Sequence, residues 1–151
     1  VARYGAGITK AGVNTAATTL AVLWSPTNEI NVRRVSITIS VVPTTAPDLY
    51  LVLATARGTQ TTTQAGALKA PKPGPAAVAT VDSVWSVAPT VGAATTAWER
   101  IALPLTAGAG VIFTYEPNEC ELINGTGLAI VNAAASGATL GSFSFGFAWE
   151  E

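Results

Sequence analysis

Apolar and polar residues alternate along most of this 151-residue chain. In "VRRVSITISVV", Val35, Ile37, Ile39 and Val41 share one face, while Arg34, Ser36, Thr38 and Ser40 share the other. Period two with β-branched residues marks a strand half-buried in a sheet. "TTLAVLW" sets Thr18, Leu20, Val22 and Trp24 together in the same way, "DLYLVLATA" sets Leu49, Leu51 and Leu53, and "WERIALPL" sets Ile101, Leu103 and Leu105. "GVIFTYE", "CELI" and "GLAIVN" are shorter apolar runs, and "AAVATVDSVWSV" is a weaker one. At the end, "SFSFGFAWEE" places Phe143, Phe145, Phe147 and Trp149 on every second position, followed by two glutamates expected to stay in water.

Turn-forming residues separate these runs in "SPTNE", "VPTTAPD", "KAPKPGP", "TAGAG", "EPNE", "NGTG" and "ASGA". Gly and Pro interrupt most windows long enough for a helix, and Thr and Val are poor helix formers. The pattern predicts an all-β protein: a two-sheet antiparallel β-sandwich, jelly-roll-like, with about eight or nine strands and little or no helix. The length suits one domain. Residues 1–15 read as an N-terminal arm or a first strand, with Tyr4 and Ile8 as anchors, and residues 16–151 as a single sandwich. A Thr- and Pro-rich loop is expected over 58–75, with Leu68, Pro71 and Pro73 on its presenting part.

Charge changes the picture. Only 11% of residues are charged and the formal net charge is −1, against about 25% charged in an ordinary soluble domain. Such a chain carries no field to steer nucleic acid. Its exterior either meets other protein or is a neutral Thr/Ser surface of a monomer. No run of about 20 apolar residues exists to span a bilayer as a helix. The start at Val1, in a sequence with no methionine, is what a lost initiator or a removed leader would leave; the first is simpler and suggests synthesis in a cytoplasm. Cys120 is single, so it reads as a small buried hydrophobe or an intersubunit thiol.

Candidate chemistry is sparse. There is no histidine, which removes the commonest general base and most zinc sites. A lysine-activated serine has only Lys10, Lys69 or Lys72 to draw on. Glu116, Glu119 and Glu121 with Asn118 suggest either a calcium site or a polar turn. The glycines of "GAGVIF" and "NGTG" lack a phosphate-loop pattern, and Asn124 opens a glycosylation sequon. Trp24, Trp98 and Trp149 lie at strand ends and read as core caps; together with Trp85 they offer the alternative of a sugar-stacking platform. Arg33, Arg34, Arg57 and Arg100 form no run and read as subunit-interface partners of Glu29, Asp48 or Glu99. Neither a cofactor site nor a metal site nor a catalytic set is expected.

The order "LWSPTNEINVRRVSITIS", "TTAPDLYLVLATARGT", "WERIALPLTAGAGVIFTYEP" and "GTGLAIVNAAASGATLGSFSFGFAWEE" resembles small virion structural proteins of tailed bacteriophages, in particular head decoration or cement proteins. The resemblance spans about residues 20–57 and 98–151. It implies a β-sandwich subunit, commonly a homotrimer, that binds the major capsid protein on the capsid surface of the virion and stabilises the head, with no small-molecule substrate, nucleic acid or membrane. The expected contact residues are Arg3, Tyr4, Ile8, Arg33, Arg34, Arg57, Leu68, Pro71 and Pro73. A tail-associated or extracellular carbohydrate-binding module and an extracellular filament subunit stand as alternatives.

Overall fold

The computed structural model describes residues 2–12, 18–69, 74–134 and 141–151. Among them the chain is strand almost throughout, with one 3-10 turn at Ala94–Thr96. The strands are β1 (Arg3–Gly12), β2 (Thr18–Ser25), β3 (Ile30–Val41), β4 (Asp48–Ala56), β5 (Thr59–Ala65), β6 (Ala67–Leu68), β7 (Thr80–Val87), β8 (Thr90–Val91), β9 (Glu99–Ala102), β10 (Gly110–Thr114), β11 (Glu121–Leu122), β12 (Thr126–Asn132) and β13 (Gly141–Glu150).

They form two antiparallel sheets packed against each other. The first runs β10–β3–β13–β1–β6, with β11 also on β3, and the second runs β5–β7–β2–β12–β4–β8, with β9 also on β4. From β1 to β4 the chain alternates between sheets, and it does so again through β9, β10, β12 and β13. The blocks β10–β3–β13–β1 and β2–β12–β4–β9 therefore have jelly-roll-like wiring, the sandwich that the alternation predicts. Residues 57–98 are inserted between β4 and β9. The expected loop over 58–75 is in part strand: β5 pairs along β7, and β6 pairs Leu68 with Tyr4 and Ala67 with Gly5. Its polar Thr/Gln run suits an edge strand with both faces wet, which apolar alternation cannot flag. Of the two readings of the N-terminus, the structure has the strand: β1 pairs with β13 from Arg3↔Glu150 to Gly12↔Gly141.

The core between the sheets is built by the expected alternation. Val35, Ile37 and Ile39 from β3, Leu49 and Leu51 from β4, and Phe143, Phe145, Phe147 and Trp149 from β13 are all buried in it. Fully burying a side chain of this kind contributes about 1.5–3 kcal/mol. A second apolar cluster lies on the opposite face of the second sheet, where Val22, Trp24, Tyr50, Val52 and Val131 pack under Trp85, Val91, Ala94 and Ala97. The insertion thus roofs that sheet, and β4 is buried on both faces.

Bulges overturn strict alternation in three places. In β2, Ile130 opposes Ala21 and Val131 opposes Thr19, leaving Leu20 without a partner. Leu20 therefore joins Ala21 and Leu23 in the inter-sheet core, while Val22 and Trp24 face the roof. In β3, Phe143 opposes Ile39 but Ser142 opposes Val41, so Ser40 is the extra residue and Val41 is 51% exposed rather than buried. Near its other end, Ala148 opposes Arg34 and Trp149 opposes Val32, so Arg33 is extra. Two further expectations are corrected by position: Trp98 and Leu105 lie on loops flanking β9 and are exposed.

The chain end is tied down rather than solvated. The Trp149 ring stacks on Tyr4 with centroids 6.1 Å apart. The Glu151 carboxylate accepts hydrogen bonds from the backbone N–H groups of Val78 and Ala79 and from the Trp149 indole N–H, at 2.8–3.0 Å. Glu150 accepts from Arg3. Both carboxylates have thus exchanged water for directed donors, which sequence polarity does not reveal.

The bulge at Ser40 makes a stability contrast. Ile39→Ala should cost about 2–5 kcal/mol in urea unfolding, whereas Val41→Ala, its counterpart in the alternating pattern, should stay within about 0.5 kcal/mol of the parent.

Candidate functional site

Because β13 sends its aromatics inward, the residues between them face out. In register across the first sheet lie Gly5, Ala148, Arg34 and Thr114, then Gly7, Gly146, Ser36 and Ile112, then Thr9, Ser144, Thr38 and Gly110. Residues in register share a face. Apart from Arg34 and Ile112, every side chain in these rows is Gly, Ala, Ser or Thr. The rows lie open: Gly7 and Thr9 are exposed and Ser36, Thr38, Ser144 and Gly146 are half-buried. Where the insertion roofs the second sheet, the described residues leave this one uncovered except at its first row, where Gly5 and Ala148 are buried and Lys69 crosses Gly5.

One end of the face is cationic. Strict alternation would turn Arg33 inward beside Val35; the bulge turns it out beside Arg34. Arg3 reaches the same place from β1, its Nε donating to Glu150 Oε1 at 2.7 Å, while Arg33 Nε lies 3.8 Å from that oxygen. Lys69 follows β6 and is fixed by its backbone N–H donating to the Arg3 carbonyl at 2.8 Å. Its alkyl stem crosses Gly5, where a Cβ would come within 2.2 Å of Lys69 Cε. Arg3, Arg33, Arg34 and Lys69 thus line one cleft of about 160 Å³, with Ala148, Tyr4 and Trp149 forming the rest of its lining. These are four of the eight cations in the sequence. Arg33 Nη1 is buried there without a hydrogen-bond partner.

The remaining expected site residues serve the fold or lie elsewhere. Tyr4 is buried in the core and its hydroxyl donates to the Pro75 carbonyl at 3.0 Å. Ile8 and Leu68 are partly buried against the same core. Arg57 grips the buried Asp82 carboxylate with two bonds of 2.7 and 2.9 Å and adds a third to Thr80. That hydrogen-bonded carboxylate raises the Arg57 pKa. Arg100 pairs with Asp48 at 2.6 Å, which lowers the Asp48 pKa through the same hydrogen bond. Both pairs form within the chain, where the sequence suggested partners across a subunit boundary. Pro71, Pro73 and Lys72 lie outside the described residues.

The other candidates resolve as follows. Among the glutamates of the expected acidic cluster, Glu119 accepts from the Glu116 backbone N–H at 2.7 Å, and the Asn118 N–H donates to the Asn31 side chain at 3.1 Å, forming a turn. Among the described residues no three His, Cys, Asp or Glu side chains converge as a metal site. The tryptophans do not share a platform: Trp149 is in the core, Trp24 and Trp85 belong to the roofed cluster, and Trp98 is exposed. Lys10 lies over the Trp85 ring, 5.7 Å from its centroid, and its Nζ donates to the Ser83 carbonyl, not to a serine hydroxyl. Burial lowers its pKa. Cys120 is buried, and desolvation pushes its thiol up to about 12; the same cause raises the Tyr115 hydroxyl.

The sequence signal for the cleft was the Arg33–Arg34 doublet. Within a strand, alternation puts one of two adjacent cations inside, and an unpaired charge is almost never buried. The doublet therefore implies a bulge. Nothing local marks Lys69 or Glu150, because the first reaches Arg3 through β6 pairing with β1 and the second through β13 pairing with β1. The fold and this surface define a two-sheet β-sandwich with, among the described residues, one roofed and one largely bare face. Comparison with protein-family models, with curated proteins and with solved structures found no match.

Two outcomes follow. Arg57→Ala leaves Asp82 buried without its cation and should cost about 3 kcal/mol, the low end for breaking a buried pair because Arg57 keeps some exposure. The raised Cys120 and Tyr115 values favour the protonated forms in the folded state. Their contribution is intact below pH 9, the ordinary value for the thiol, and is lost as pH rises toward about 12. Chemical unfolding across this range should show stability falling with pH, and Cys120→Ala should remove part of that slope.

Proposed function

We propose that this chain is a structural subunit that docks on the surface of a larger protein assembly, in the manner of a bacteriophage head decoration protein, as a trimer on the major capsid protein. The observation that supports this reading is the bare outer face of the first sheet. A sandwich normally keeps such a face soluble with mixed charges. Here, away from Arg34, three central strands present Gly, Ala, Ser and Thr, so a partner backbone can approach that part closely without desolvating ions. Several of the chain's few charges are meanwhile spent on internal pairs.

Small side chains lose little conformational entropy when a partner covers them, so a face of this kind suits a persistent contact between folded surfaces. Closed symmetry would multiply each such contact on a head. The charge-poor face and the resemblance in the pattern of strands and turns point the same way.

Truncating residues 1–15 is a poor test, because β1 is an internal strand of its own sheet. A single charge placed on the bare face is better. Light scattering should give a trimer mass, and the chain should co-sediment with phage heads assembled without it. Ser144→Lys should lower that binding at least roughly tenfold, the cost of one desolvated charge, with an unchanged melting temperature. A monomer at every concentration with no head binding would overturn the reading.

A further inference from the structure

The geometry points to a receptor function for the cationic cleft: it takes a carboxylate side chain carried by another protein chain. This rests on the reading that the outer face of the first sheet meets protein, and it assigns the charged end of that face a specific partner chemistry.

Four cations line the cleft, and one carboxylate, Glu150, lies beside two of them, Arg3 and Arg33. Arg3 is satisfied by Glu150 at 2.7 Å, but Arg33 stands off at 3.8 Å and its buried Nη1 has no hydrogen-bond partner. A buried guanidinium N–H that donates to nothing has lost water and gained no acceptor. Neither Arg34 nor Lys69 forms an ion pair among the described residues. An incoming carboxylate would complete the set, since guanidinium and carboxylate match as a fork of two donors and two acceptors. Arg57 with Asp82 and Arg100 with Asp48 show that geometry elsewhere in this chain, whereas Glu150 accepts a single bond, from Arg3.

Size and lining narrow the occupant. At about 160 Å³ the cleft is smaller than the roughly 300–1,000 Å³ of small-molecule sites. It has room for one side chain. Its cations stand beside an apolar lining of Ala148, Tyr4 and Trp149. That arrangement fits the methylenes and carboxylate of a glutamate or aspartate. A phosphate, with acceptor oxygens on every side, would leave some of them facing carbon. Arg33 and Arg34 are held by the bulge on a central strand and Lys69 by the β1–β6 pairing, so the donors are preorganised rather than gathered on binding.

The test is a calorimetric titration of the full chain with a tetraglutamate peptide at low ionic strength, beside a parallel titration with inorganic phosphate. The expected result is saturable peptide binding at one site per chain, weakened by added salt. Arg34→Gln and Lys69→Gln should each weaken it roughly tenfold, as loss of one charge-assisted hydrogen bond does, while Arg100→Gln leaves it unchanged. Arg34 is exposed, so its replacement should leave the melting temperature in place. Absence of saturable peptide binding, tighter binding of phosphate than of peptide, or equal losses in the Arg34 and Arg100 variants would overturn the proposal. The titration uses the isolated chain, so its outcome is separate from that of the head-binding measurement.

Discussion

The pairing of β13 on both of its edges is the constraint on which the rest depends. The last strand of the chain is the middle strand of the first sheet, hydrogen-bonded to β3 on one side and to β1 on the other. Its inward residues, Phe143, Phe145, Phe147 and Trp149, form a large part of the inter-sheet core. Its outward residues between them are small, and at one of them the next strand is close: a Cβ on Gly146 would stand 2.4 Å from Ser36 Oγ. One strand thereby builds the core and leaves the bare face. The same strand brings Glu150 to Arg3 and Arg33 beside the cationic cleft, and Glu151 just beyond it to the backbone of Val78 and Ala79.

Charge in this molecule is scarce and is placed with purpose. Arg57 with Asp82 links the end of β4 to β7, which holds the insertion to the body of the sandwich. A buried pair of this kind is weak evidence of net stability, since desolvation offsets much of its attraction, but losing one partner is costly. Arg100 with Asp48 is exposed and contributes little. What remains is the group at Arg3, Arg33, Arg34 and Lys69, where cations outnumber the one acid they face. An excess of like charge around a small cleft is unfavourable for the isolated chain unless screened by solvent or met by a partner. That asymmetry distinguishes the cleft from the satisfied pairs elsewhere.

The insertion at 57–98 makes the two sheets unequal. It covers the outer face of the second sheet with Trp85, Val91, Ala94 and Ala97 and so creates a second apolar cluster. The first sheet has no such roof among the described residues. A fold that roofs one face and leaves the other with small side chains and charge only toward one end presents a broad surface to a partner, with the acid-accepting cleft at that end. This is the physical content of the assembly reading, and it involves no catalytic group.

Alternation alone determined the class of this protein. The runs around Ile37, Leu51 and Phe145 each carry a period of two, which is a property of the backbone, and together they predict an antiparallel sandwich. It also placed the terminal aromatics in the core. Tertiary structure decided what alternation cannot express. Whether Val41 is in or out depends on an extra residue opposite Ser142, and whether Arg33 joins Arg34 depends on one opposite β13. The Thr/Gln run at 59–65 became a strand because β7 offered its edge, and Glu151 left water because three donors converged on it. In each case the deciding partner is far away in the chain, and local sequence carries no record of the register in which two distant strands meet.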